Sequence, residues 1–305
     1  MLSKSDHQYS NTKQGLILAL ITSFAWSTLG ICIKYADLFI DAITLSGARF
    51  AISAVVLFLF FLVSRNFQIQ EIKKFPKIII WAGLGLACNY VGFAKGVMIA
   101  NATSATIIAQ LGPLLLAVVG IFIFKDEISK KQLIGLGIAI LGFSLFYFGQ
   151  LQFQNAQMNL NQGTMWLIFG AITWTLWGYI HKKLSLSGFN ITTINFLVYL
   201  IAFISLSPLM NWTDLMSLSL RQFLFVVLLG ANTLIAYGSL SIAIKKAPGY
   251  LVSMIIALYP IMTIALIHIL DLLGISPIPP EPINSTGLIG ALCVVCGVVF
   301  AAKKS

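Results

Sequence analysis

Residues 89–113 read NYVGFAKGVMIANATSATIIAQLGP, and residues 233–260 read TLIAYGSLSIAIKKAPGYLVSMIIALYP. Each is an apolar hairpin seeded with small and polar residues, and each ends on a proline. An offset of 147 residues lays Tyr90 on Tyr237, Ala100 on Ala247 and Pro113 on Pro260. An offset of 148 lays Gly15 on Gly163, Trp26 on Trp174, Gly30 on Gly178 and Lys34 on Lys182. These coincidences mark a chain built twice.

The chain around these stretches is 305 residues long, 59% apolar and only 9% charged, with a mean hydropathy of +0.95. Soluble domains carry about 25% charged residues, so this composition belongs in a bilayer. A spanning helix needs about 20 mostly apolar residues, and ten such runs follow one another with short polar breaks. They are expected at Gly15 to Ile33, Ile43 to Val63, Ile78 to Val97, Ala102 to Phe124 and Leu133 to Gly149, then at Gly163 to Ile180, Thr192 to Met210, Phe223 to Ile244, Gly249 to Leu270 and Gly287 to Ala302. The fold expected is an all-α membrane protein. Residues 1–14 form a polar cytoplasmic tail, 15–149 and 163–305 two five-helix repeats, and 150–162 an external linker. Because five is odd, the second repeat enters the membrane from the opposite side, so the repeats are inverted.

The net charge of +10 would suggest nucleic acid in a soluble protein. Here the cations gather between apolar runs, where topology explains them, and no nucleic-acid partner is inferred. With the N terminus in the cytoplasm, inside segments hold Lys4, Lys13, Arg65, Lys73, Lys74, Lys77, Lys125, Lys130, Lys131, Lys182, Lys183, Lys245, Lys246, Lys303 and Lys304, fifteen of the 19 Lys and Arg residues. Cytoplasmic loops are enriched in these residues, so both termini are expected inside. The first run is longer than the roughly 7 to 15 apolar residues of a signal-peptide core and is read as a retained helix.

Chemistry in the membrane would need paired carboxylates, a metal cluster, or a nucleophile beside its base. None assembles. The nine acids sit in tails, loops or span ends, and His7, His181 and His268 lack ligand spacing. No phosphate-binding glycine loop is followed by a lysine. Cys293 and Cys296 are spaced like a metal or redox pair, but they sit among small residues and read as packing. No cofactor, metal or enzymatic activity is expected.

The spans offer polar and aromatic seams instead. Asn89 and Gln110 are amides in apolar surroundings, as are Asn195 and Asn232, and such groups need partners or a wet cavity. Trp26 and Trp174 lie about 11 residues into their spans, roughly 16 Å deep at 1.5 Å per residue, too deep for an interfacial belt. With Asn89, Tyr90, Gln110, Trp177, Tyr237 and Ser253 they form the candidate substrate-binding set. Arg49 is costly at its depth without a partner. Three readings stand open for it: snorkelling outward, pairing with Asp41, or receiving a substrate anion. Lys95 is a second candidate for an anionic group, with an interfacial anchor as the alternative. Pro113 and Pro260 each delete a mid-helix hydrogen bond, and their matched placement suggests gating of a central site.

Arg49, the A-x-x-A-T-x5-G-P pattern from Ala102 to Pro113, Lys125-Asp126-Glu127, the Gly135/Gly142 pair and its echo Gly290/Gly297 together resemble the EamA type of the drug/metabolite transporter superfamily, across nearly the whole chain. The resemblance implies a cavity lined by the first, third, fourth, sixth, eighth and ninth spans, and alternating access for a small organic metabolite. Glu127 would match an acidic residue ending the family's fourth helix. In the second half Gly274 takes that place, followed by the proline-rich loop from Pro277 to Pro282.

The function expected is secondary transport of a small, amino-acid-like solute across the inner membrane, with export favoured, by rocking of the two halves. The lack of a mid-span carboxylate points to uniport or exchange over a simple proton relay. Alternatives are a nucleotide-sugar or phosphorylated-metabolite exchanger, which would want more cations, and, in another class, a membrane enzyme or interaction protein. The partners expected are the solute and the lipid bilayer. The sequence leaves the oligomeric state open.

Overall fold

The computed structural model describes residues 4–64, 74–123, 130–151, 157–247, 252, 255–276 and 283–302. Among the described residues all regular structure is helical: α1 (Lys4–Ala36), α2 (Ala42–Ser64), α3 (Ile78–Ile99), α4 (Ala102–Ile108), α5 (Leu111–Ile123), α6 (Lys130–Leu151), α7 (Gln157–Leu186), α8 (Ile191–Leu206), α9 (Trp212–Ser217), α10 (Leu220–Lys246), α11 (Tyr259–Leu272) and α12 (Ser285–Ala302). Among the described residues five segments are long and apolar enough to cross a membrane, and four shorter helices are apolar as well. Large apolar side chains such as Phe60, Val63, Trp81 and Met165 stand exposed on the outside, as expected of a surface whose solvent is lipid.

Helix ends are set by side chains that accept the orphan N–H groups of a first turn. The Asp41 Oδ1 accepts from the amides of Ile43 and Thr44, at 2.8 and 3.0 Å. Asn190 Oδ1 does the same for Thr192 at the start of α8, and Asn101 for Ser104 at the start of α4. Ser219 and Gln222 form a capping box on α10. At the other end of α11, Gly274 adopts φ +66°. The amides of Gly274 and Ile275 bond back to Asp271 and Leu270, so this glycine stops the helix in a conformation that side chains resist.

The helices depart from the sequence expectation in four places. The tail expected over 1–14 is helical from Lys4 and continuous with the first span. The linker expected over 150–162 is shortened from both sides, by α6 to Leu151 and α7 from Gln157. The fourth span is two helices, broken at Ala109–Gln110. A six-residue helix, α9, follows Met210, too short for any periodic signal.

The most extensive packing joins one half of the chain to the other: α1 lies along α10, α3 along α7, α6 along α12, and α2 against α8. The halves therefore interleave. Small residues permit this closeness. A Cβ added at Gly15 would lie 2.6 Å from the Ala247 Cβ, and one added at Gly163 would lie 2.6 Å from the Ala100 Cβ. These pairs exchange under the offsets read from the sequence. Between α6 and α12, a Cβ on Gly290 would lie 2.7 Å from the Phe146 Cα, and one on Gly142 would lie 2.8 Å from the Gly290 carbonyl. Cys293 is half-buried and Cys296 exposed on α12, both free thiols.

Candidate functional site

A cavity of about 100 Å³ opens between α1, α2, α3, α5, α7, α10 and the start of α11. Its wall includes Trp26, Arg49, Asn89, Tyr90, Pro113, Trp174 and Tyr237, all singled out in the sequence, together with Leu29, Phe93 and Tyr259. The aromatic rings hold one another edge-on. Trp26 meets Tyr237 at 5.8 Å between centroids and Tyr259 at 5.9 Å, the T-shaped contact that places a ring edge on a π face. Trp174 rests on Gly112, where an added Cβ would come within 2.9 Å of the ring atom Cε3.

The two broken helices frame this cavity. Pro113 cannot donate to the preceding turn, and α4 ends just before it. The Gln110 amide bonds to the Ile107 carbonyl and the Gly112 amide to Ala109, both i to i−3, a tightened turn of the kind that closes helix ends. In the second half Leu258 bonds to Ile255 in the same way, and Pro260 stands in the first turn of α11. The breaks touch, because the Gln110 Nε2 donates to the Ala257 carbonyl at 3.3 Å. Gln110 is thus placed between the two breaks and not in the cavity wall.

The other expected residues divide. Asn89 is in the wall and also donates to the Gly170 carbonyl at 2.9 Å, fixing α3 to α7. Asn232 donates to the Ala25 carbonyl at 2.9 Å, fixing α10 to α1, and Asn195 pairs with the His181 ring. Of the four amides, only Asn89 reaches the cavity. Trp177 is buried behind the wall, 5.3 Å from Tyr237 and 5.6 Å from Trp174 between centroids. Lys95 stands away from the cavity with its ammonium 4.4 Å over the Trp166 ring, a cation–π contact. Pro260 is buried beside Tyr259 without joining the wall. Ser253, Lys125, Asp126 and Glu127 lie outside the described residues.

Among the described residues Arg49 is the one charged side chain in the cavity wall, and it is 2% exposed. It does not snorkel outward, and Asp41 is turned to the helix cap. One Nη donates to the Thr233 hydroxyl at 3.1 Å, and the guanidinium carbon lies 4.5 Å over the Tyr90 ring. Its Nε has no partner among the described residues. Gly230 brings α10 this close, since a Cβ there would lie 2.7 Å from the Ile52 Cγ2. Tyr259 and Thr233 were not among the expected site residues. The position matching Tyr259 under the 147-residue offset is Gly112, so a search for identities passes over it.

An apolar helical bundle with an aromatic cavity between broken helices defines a polytopic membrane protein with a place for a small solute. The model of the EamA-like transporter family matches residues 13–148 and again residues 161–302; the chain belongs to this family. It is similar to an uncharacterized transporter of Haemophilus influenzae, 28% identical over 292 residues covering 94% of both chains. It is also similar to the uncharacterized inner membrane transporter YhbE of Escherichia coli K12, 28% identical over 94% of this chain and 91% of YhbE. A solved structure 16% identical in sequence shares the fold, with a TM-score of 0.61 over 96% of this chain and 97% of its own.

Proposed function

We propose that the protein is a secondary carrier of a small organic solute, amino-acid-like in size and exported, working across the inner membrane by alternating access. The observation that carries this reading is the aromatic cavity lying where two helices, one from each half, break side by side. Ten spans as two inverted five-helix repeats, with both termini cytoplasmic, supply the scaffold. Matched contacts support it: Gly15 with Ala247 against Gly163 with Ala100, and α1 with α10 against α3 with α7. The name of the Escherichia coli relative supports the inner membrane.

Because each tight helix pair takes one member from each half, the bodies that move are cross-paired helices and not the sequence halves. The breaks before Pro113 and Pro260 are the hinges, free to bend because their turns lack the full i to i−4 ladder. A single cation among the described residues of the cavity wall disfavours a nucleotide sugar.

The test is metabolite exchange in proteoliposomes holding the purified chain, with solutes chosen by comparing cells with and without the gene. A small solute whose distribution shifts in cells, and whose counterflow the chain then catalyses, is the expected result. No shift and no counterflow would overturn the reading. A strict requirement for a pH gradient would overturn uniport and exchange.

A further inference from the structure

The geometry points to a small organic monoanion as the solute, with its carboxylate on Arg49 and its apolar remainder against Trp26, Trp174, Tyr237 and Tyr259. This inference rests on the carrier reading. A guanidinium is charged at every physiological pH, and a buried cation without an anion is among the costliest groups a membrane protein can hold. The described acids do not relieve it. Among the described side chains, Asp41 caps α2, Asp37 sits beside Lys34, Asp214 accepts from Asn211, and Asp271 is exposed at the end of α11. The Thr233 hydroxyl and the Tyr90 ring face are neutral partners, and the Nε is unmatched.

A structural clamp between α2 and α10 would need only a neutral donor. What a permanent charge adds, on the wall of a cavity, is affinity for an anion. Two-point recognition of a carboxylate by an arginine fork is the strongest neutralisation open to it. No described carboxylate lines the cavity, so an ammonium group on the solute would meet no opposite charge there. An amino group is therefore tolerated and not required.

The purified full chain in detergent, titrated with isobutyrate, L-valine, isobutyramide and isobutylamine, tests this, because Trp26 and Trp174 report occupancy by fluorescence. The two carboxylates are expected to bind at least roughly 10-fold tighter than the amide and the amine, as a charged hydrogen bond implies. R49Q should lower carboxylate affinity by roughly 10- to 100-fold and leave the amide unchanged. Equal treatment of the four probes by the native chain, including binding none of them, overturns the inference, as does an R49Q that keeps the contrast. Should R49Q fail to fold, R49K decides: it keeps the charge and loses the fork, so carboxylate binding drops several-fold, and an undiminished affinity overturns the proposal. Carboxylate binding without flux in proteoliposomes would remove the carrier reading and leave the role of Arg49. Flux of isobutylamine equal to that of isobutyrate would do the reverse.

Discussion

Eight residues after its capping side chain, α2 carries Arg49, and eight residues after its own cap, α8 carries Val198. Both are buried, and the next residues, Phe50 and Tyr199, pack ring to ring at 6.0 Å across the junction of the two helices. The backbone solution is the same and the chemistry is opposite. A second contrast runs alongside, in which Trp26 leans on Tyr259 while its counterpart Trp174 leans on Gly112. Matching positions in the two parts of the chain make one charged, lopsided pocket.

Moving the charge breaks the comparison most severely. Val198 is fully buried, so V198R should cost about 3–5 kcal/mol, the penalty of an unpaired buried cation, read as lost monodisperse yield and a lowered unfolding midpoint. R49V at the matching position should leave that midpoint unchanged or raised, and abolish carboxylate binding. The ring contrast comes next. G112A should cost about 2 kcal/mol, because its Cβ would press on Trp174, whereas Y259F should leave stability within about 0.5 kcal/mol in the same melts.

Smaller effects sharpen the picture. Q110A removes the bond joining the two breaks, about 1 kcal/mol, and should change the turnover of counterflow while leaving half-saturation alone. D41A and N190A should each cost about 1 kcal/mol or less, as lost caps do, and to similar extents. Loss of carboxylate binding in D41A alone would mean that Asp41 orients Arg49 after all.

The all-helical, apolar character was legible because a bilayer imposes a length and a composition that few other environments share. Residues aligned by offset alone also met in pairs, Gly15 with Ala247 and Gly163 with Ala100. What the chain did not disclose was the surroundings of single polar residues. Asp41 lies eight residues from Arg49 and looks like a partner, yet a helix start claims it. Gln110 looks like a ligand and instead bridges two kinks. Lys95 looks like a lure for anions and rests on Trp166. For Gln110 and Lys95 the competing partner comes from a helix distant in sequence; for Asp41 it is the first turn of its own helix. Tyr259 was missed for a related reason: its importance comes from Trp26, and nothing in its own neighbourhood shows that.

The pairing of α1 with α10 and of α3 with α7 bears on how the molecule is made. Emerging from the ribosome, α1 and α3 would present glycine seams with nothing to fill them, since their tight companions begin 216 and 79 residues later. Severed genes encoding the two portions should then give stable protein only when expressed together.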